Sequence, residues 1–129
     1  YPDLEIVING GIQAVEEVAG HLEHVDGVMI GRAAYHDSYL LAHLERRFLN
    51  ADFQLPSRRD IALSMLDYIE AEVSRGVRVH NITRHMMGLY AGQPGARKWR
   101  RALGEQACRA DAGPEVVVQA VEAMSAELG

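Results

Sequence analysis

The chain has 129 residues, of which 48% are hydrophobic and 24% charged; its formal net charge is −5 and it holds one cysteine. The length fits one domain and the composition excludes a disordered tail. The single cysteine excludes a disulfide framework and a Cys-based zinc site, and no apolar run approaches the roughly 18 residues that cross a bilayer. Tyr1-Pro2-Asp3 has no secretory character, so a reducing, cytoplasmic setting is the expectation. A strand-like run this close to a start without Met points to a piece of a longer protein.

Leu4-Glu5-Ile6-Val7-Ile8 is short, apolar and β-branched, which predicts a strand buried on both faces, stopped by Asn9-Gly10-Gly11. Val15, Val18, Ala19, Leu22 and Val25 form a helical stripe between Gln13 and about His24. Asp26-Gly27 turns the chain into a second strand, Val28-Met29-Ile30, ended by Gly31-Arg32. A strand–helix–strand unit calls for parallel strands and a right-handed crossover. The next helix is predicted from Ser38 to Phe48, with Leu40, Leu41, Leu44 and Phe48 on one side.

Residues 50–56 read as a linker, and the remainder as helical. Ser57-Arg58-Arg59-Asp60 resembles a capping box. The stripe Ile61, Met65, Tyr68, Ile69 and Val73 predicts one amphipathic helix, with Gly76 as its stop. Asn81 is a candidate cap for a helix carrying Ile82, Met86, Leu89 and Tyr90, broken at Gly92-Gln93-Pro94-Gly95. A basic helix from Ala96 to Cys108 follows, then a last helix after Gly113-Pro114 with Val117, Val118, Val121, Met124 and Leu128 inward.

The average charge hides a partition. Between Arg75 and Arg109 stand eight basic residues and one acid, Glu105, a net of +7; the rest carries five basic and seventeen acidic residues, a net of −12. Twelve of the thirteen basic residues are Arg, which meets phosphate with two parallel donors. The window is either a solvated helix face or the contact surface for an anionic partner such as RNA.

Asn9-Gly10-Gly11 and Gly31-Arg32 each follow a strand. In a parallel sheet, strand C-termini face the ligand, and glycine amides approach an anion closely. Arg32 can clamp a phosphate through two hydrogen bonds. The alternative is a pair of ordinary turns with glycines at positive φ. Two strands cannot close a barrel and would leave open edges. The fold class expected is therefore α/β plus all-α: the last two βα units of a TIM (β/α)8 barrel over residues 1–49, followed by a helical-bundle domain over 57–129.

The run Ile8-Asn9-Gly10-Gly11-Ile12, with Val25-Asp26-Gly27-Val28-Met29-Ile30-Gly31-Arg32-Ala33-Ala34-Tyr35, resembles the end of the tRNA-dihydrouridine synthase barrel. Ile82-Thr83-Arg84-His85-Met86-Met87-Gly88-Leu89-Tyr90 and Gly95-Ala96-Arg97-Lys98-Trp99-Arg100-Arg101-Ala102-Leu103 are similar to the A subfamily. The resemblance implies a cytoplasmic flavin enzyme that reduces D-loop uridines of tRNA (the 20/20a type) with FMN, and with NADPH as electron source. It places Asn9, Gly10, Gly11, Gly31 and Arg32 at the FMN phosphate, and Arg97 and Arg100 at tRNA. The partners implied are tRNA and the missing N-terminal barrel half; self-association of the piece through open strand edges is a further expectation.

Where the family often reads His-Asn-Pro after Gly31-Arg32, this chain has His36-Asp37-Ser38, and Ser38 can cap the next helix. The family's catalytic cysteine belongs to the earlier barrel half, so the expected catalytic set in this chain is empty; Cys108, in the helical half, reads as a buried thiol. His21 and His24 are spaced to share a metal, but a surface helix face is the better reading. Trp99 and Tyr90 read either as base-stacking platforms or as core. Two other functions fit the pattern: a helical RNA-binding module without catalysis, and a different phosphate-binding barrel enzyme.

Overall fold

The computed structural model describes residues 3–128, with side chains through Met124, so the expected inward placement of Leu128 lies outside the described residues. The chain divides into two compact units, Tyr1–Leu55 and Pro56–Gly129.

In the first unit β1 (Val7–Asn9) pairs in parallel with β2 (Gly27–Met29), in the register Val7 to Gly27, Ile8 to Val28 and Asn9 to Met29. Asp26 fixes the start of the pair: its carboxylate accepts from the Ile6 amide at 2.8 Å and its own amide donates to the Ile6 carbonyl at 2.9 Å. Gly27 suits the position opposite Val7, where a Cβ would lie 3.2 Å from a Val7 methyl and crowd it. The connecting helix α1 (Val15–Leu22) buries Val18, and Ile12 in the loop before it is buried as well. The strands are not buried on both faces as the apolar run predicts. Leu4, Ile6, Val7 and Met29 are about half exposed or more, because each strand has one neighbour and a single helix spans the pair.

A short helix not predicted, α2 (Arg32–His36), comes first, and the predicted 38–48 helix is two pieces: α3 (Leu40–Leu44) and a π-helix (Glu45–Leu49) closed by Asn50 N–H to the Glu45 carbonyl at 2.8 Å. Asp37 leaves helical geometry (φ −138°, ψ 75°) and separates α2 from α3. Ser38 is not the cap; that position is Tyr39, and Ser38 supplies only its backbone carbonyl, to the Leu41 amide at 3.1 Å. Leu40 is buried while Leu41, a hundred degrees round the helix, is exposed.

The second unit opens with Ser57, whose hydroxyl accepts from the Asp60 amide at 3.0 Å and caps α4 (Arg58–Leu63). The predicted long helix breaks before α5 (Leu66–Ser74). The Ser64 hydroxyl donates to the Ile61 carbonyl at 2.6 Å, and the Met65 amide takes the Ala62 carbonyl three residues back, tightening the turn. The break re-phases the stripe, so Ile69 is buried and Tyr68 exposed. Gly76 stops α5 at φ +94°, with Gly76 N–H on the Val73 carbonyl and Val77 N–H on that of Glu72, a Schellman ending. Asn81 is not a cap: it lies inside α6 (His80–Thr83), behind Val79. A 3-10 turn (Met87–Tyr90) leads to Gly92 and Gly95, both at positive φ, and Gly95 begins α7 (Ala96–Ala107); α8 (Glu115–Leu128) packs along it.

The core of this unit joins Trp99, Leu103 and Ala107 of α7 to Val116, Val117, Ala120, Val121 and Met124 of α8, with Ile69, Val79, Leu89 and Tyr90 around them. Val116 takes the buried position expected of Val118, which is half-buried. Trp99 and Tyr90 are core, not base platforms: their rings meet at 4.7 Å, and Trp99 Nε1 donates to the Met86 carbonyl at 2.9 Å. Cys108 is exposed rather than buried, since Ala107 occupies the inward position at the end of α7. Among the described residues no helix is long and apolar enough to cross a membrane, and no three His, Cys, Asp or Glu side chains could hold a metal.

Candidate functional site

In the first unit the two strand-end loops converge. Asn9, Gly10, Gly11, Gly31 and Arg32 all line one concavity of about 870 Å3. Gly10 and Gly11 hold φ of +116° and +66°, in the left-handed half of conformational space that favours glycine. A Cβ added at Gly10, Gly11 or Gly31 would meet no atom within 4 Å, so the loop surface is open to a ligand. Both loops leave the C-terminal ends of parallel strands, where such sheets bind ligands. Arg32 opens α2 and is exposed, with no partner among the described residues, so its guanidinium is available to an anion. These features fit a phosphate group. His36 and Asp37 line the same concavity. The sequence marks them only as a departure from a family pattern, because their place on the wall depends on the short α2.

In the second unit α7 is divided lengthwise. Trp99, Leu103 and Ala107 face the core, while Arg97, Lys98, Arg100 and Arg101 are exposed. Arg97 and Arg100, three apart, share one face. Other cations of the basic window are engaged. Arg75 pairs with Glu72 at 2.9 Å, Arg78 donates to the Cys108 carbonyl at 3.1 Å, Arg84 to His85 Nε2 at 3.2 Å, and Arg101 lies 3.8 Å from Glu105. Neither Arg97 nor Arg100 has a partner among the described residues. In the same unit, Arg58 Nε donates to the Leu89 carbonyl at 2.9 Å. Burial raises the Tyr90 phenol above its ordinary value of 10.0, against the opposing pull of Arg58 and Arg59. The Cys108 thiol lies 3.9 Å from His80 Nδ1, in the helical unit and not among the glycine loops.

Comparison with known proteins decides the family: the description dihydrouridine synthase (Dus) matches residues 2–126. The chain belongs to the dihydrouridine synthase family. It is 45% identical over 121 residues to the tRNA-dihydrouridine(20/20a) synthase of Vibrio cholerae, covering 94% of this chain and 37% of that protein. It is 46% identical over 128 residues to the enzyme of the same description from Shewanella oneidensis, covering 99% of this chain and 38% of that protein. The Synechocystis protein of that description is 45% identical over 123 residues, 95% of this chain and 37% of its own length. The chain thus spans well under half the length of the curated relatives it matches.

Proposed function

We propose that this chain is the FMN-phosphate-holding and tRNA-docking part of a flavin-dependent tRNA-dihydrouridine synthase acting on D-loop uridines of the 20/20a type. The observation that carries the reading is the convergence of Asn9-Gly10-Gly11 and Gly31-Arg32 on one concavity at the ligand end of a parallel strand pair. The two βα units are the end of a TIM barrel whose other strands belong to the same longer protein, and residues 57–129 are its tRNA-binding helical domain. The open apolar residues of the strand pair are where that barrel continues, and where the chain alone self-associates.

FMN, when bound, supplies the redox ring through which electrons from NADPH reach the uracil C5–C6 double bond. The chain's own residues do simpler work. Gly10, Gly11 and Gly31 let backbone amides approach the phosphate, and Arg32 adds a charge-assisted, two-donor contact. Arg97 and Arg100 neutralise tRNA phosphates and fix the strand without reading sequence. No residue of this chain is assigned to protonate the uracil ring, because Cys108 stands in the helical unit. The chain on its own is expected not to turn over tRNA.

Denaturing the protein that carries this chain should release a yellow flavin. Arg32→Ala should weaken flavin retention about tenfold or more, as loss of a charged hydrogen bond implies. Absence of flavin with salt-sensitive tRNA binding retained would instead support an RNA-binding module without catalysis. Flavin without tRNA binding would support a different phosphate-binding barrel enzyme.

A further inference from the structure

A second concavity in the first unit, of about 520 Å3, is lined by Val15, His43, Arg46, Arg47 and Ala51. His43, Arg46 and Arg47 stand at i, i+3 and i+4, the spacing that puts three side chains on one helical face. They straddle the junction of α3 and the π-helix, a distortion frequent at functional sites. The charge context sharpens this. Residues 1–55 hold nine acids and three basic residues, all Arg; one lines the glycine-loop concavity and the other two line this one. An acidic unit repels a polyanion except where its cations gather.

Arg46 is exposed and has no partner among the described residues. Arg47 pairs with Glu16, but Glu16 is largely exposed, and a surface pair of this kind holds weakly. That pair can be exchanged for a better anion. Val15 begins α1, directly after the loop that leaves the C-terminal end of β1, so this concavity lies toward the same end of the strand pair as the glycine loops.

We propose that His43, Arg46 and Arg47 form a docking site for a backbone phosphate of the RNA substrate, with Glu16 as the counter-ion that the phosphate displaces. The inference rests on the tRNA reading above and extends it from the helical unit to the α/β unit. Two guanidiniums in one concavity suit the spread negative charge of a phosphodiester, and the site specifies position, not sequence.

The test is equilibrium binding of an unmodified tRNA transcript to the protein carrying this chain, across a salt series. Flavin content and thermal melting of each variant check that it is folded. Arg46→Ala should weaken binding several-fold and make the slope of log affinity against log salt shallower by about 0.7–0.9, the loss of one phosphate contact. Glu16→Gln should tighten binding, an outcome that a merely structural Glu16–Arg47 pair would not produce. Unchanged affinity and slope in folded Arg46→Ala and Arg47→Ala proteins, with loss confined to Arg97 and Arg100 variants, overturns this inference alone. Inorganic phosphate that shifts Arg46 resonances while Arg46→Ala leaves tRNA binding intact assigns the site to a free anion and also overturns it. A wild-type protein that binds no tRNA overturns the functional reading together with it.

Discussion

Trp99→Phe is the sharpest perturbation of the helical unit. Trp99 is fully buried, and its indole N–H is held by the Met86 carbonyl at 2.9 Å. Phenylalanine removes that donor and leaves the carbonyl only the Leu89 amide at 3.3 Å, and loss of the hydrogen bond costs about 0.5–1.5 kcal/mol. It also empties the space of roughly two methylene-sized groups, at about 0.8 kcal/mol each. The sum, about 2–3 kcal/mol, is a large share of an ordinary domain's stability of about 5–15 kcal/mol. Urea unfolding of the chain followed by far-UV circular dichroism should show the helical transition moving down by on the order of 1 M or more. Arg97→Ala, two residues away but exposed, should move it by no more than about 0.5 kcal/mol. A Trp99→Phe midpoint within the range of the Arg97→Ala control would refute the view that this indole pegs α7 to the turn at Met86.

Arg97→Ala and Arg100→Ala should each weaken tRNA binding and flatten its salt dependence by about 0.7–0.9 in slope while leaving flavin content unchanged; equal flavin loss in a cofactor assay would count against their assignment to RNA. Gly76→Ala places a side chain at φ +94° and should cost about 1–2 kcal/mol in urea titration, and a neutral result would undercut the Schellman ending of α5. Cys108 should titrate with a thiol reagent in the native protein, since it is exposed at the end of α7; a thiol that reacts only after denaturant is added would contradict that placement.

Long-range order in the sequence was legible where one strong local signal stood alone. The parallel pair follows from two apolar runs around a helical stripe, and the end of α5 and the start of α7 follow from Gly76 and Gly95. Capping was legible at Ser57, whose side chain has no competitor, and misread at Ser38 and Asn81, where backbone geometry upstream had already begun the turn. The breaks at Asp37 and Ser64 depend on single side chains and dihedrals that periodicity does not encode. The convergence of the two glycine loops was legible because both follow strands of one parallel pair. The His43, Arg46 and Arg47 cluster was not, because it sits in a segment whose net charge is negative and a regional average conceals two guanidiniums and an imidazole on one face.

The exposed strand pair also bears on when the molecule becomes whole. The helical unit draws its core from neighbours in sequence, above all α7 on α8 across the short connection at 108–114, and local contacts of this kind form fast. β1 and β2 are three residues each, joined through a helix, and show Ile6, Val7 and Met29 to solvent. Within the described residues they have the least to hold them, one neighbouring strand each. Consolidation is therefore uneven: the helical unit closes on itself, while the strand pair stays an open edge, the state in which a chain most needs protection from its neighbours.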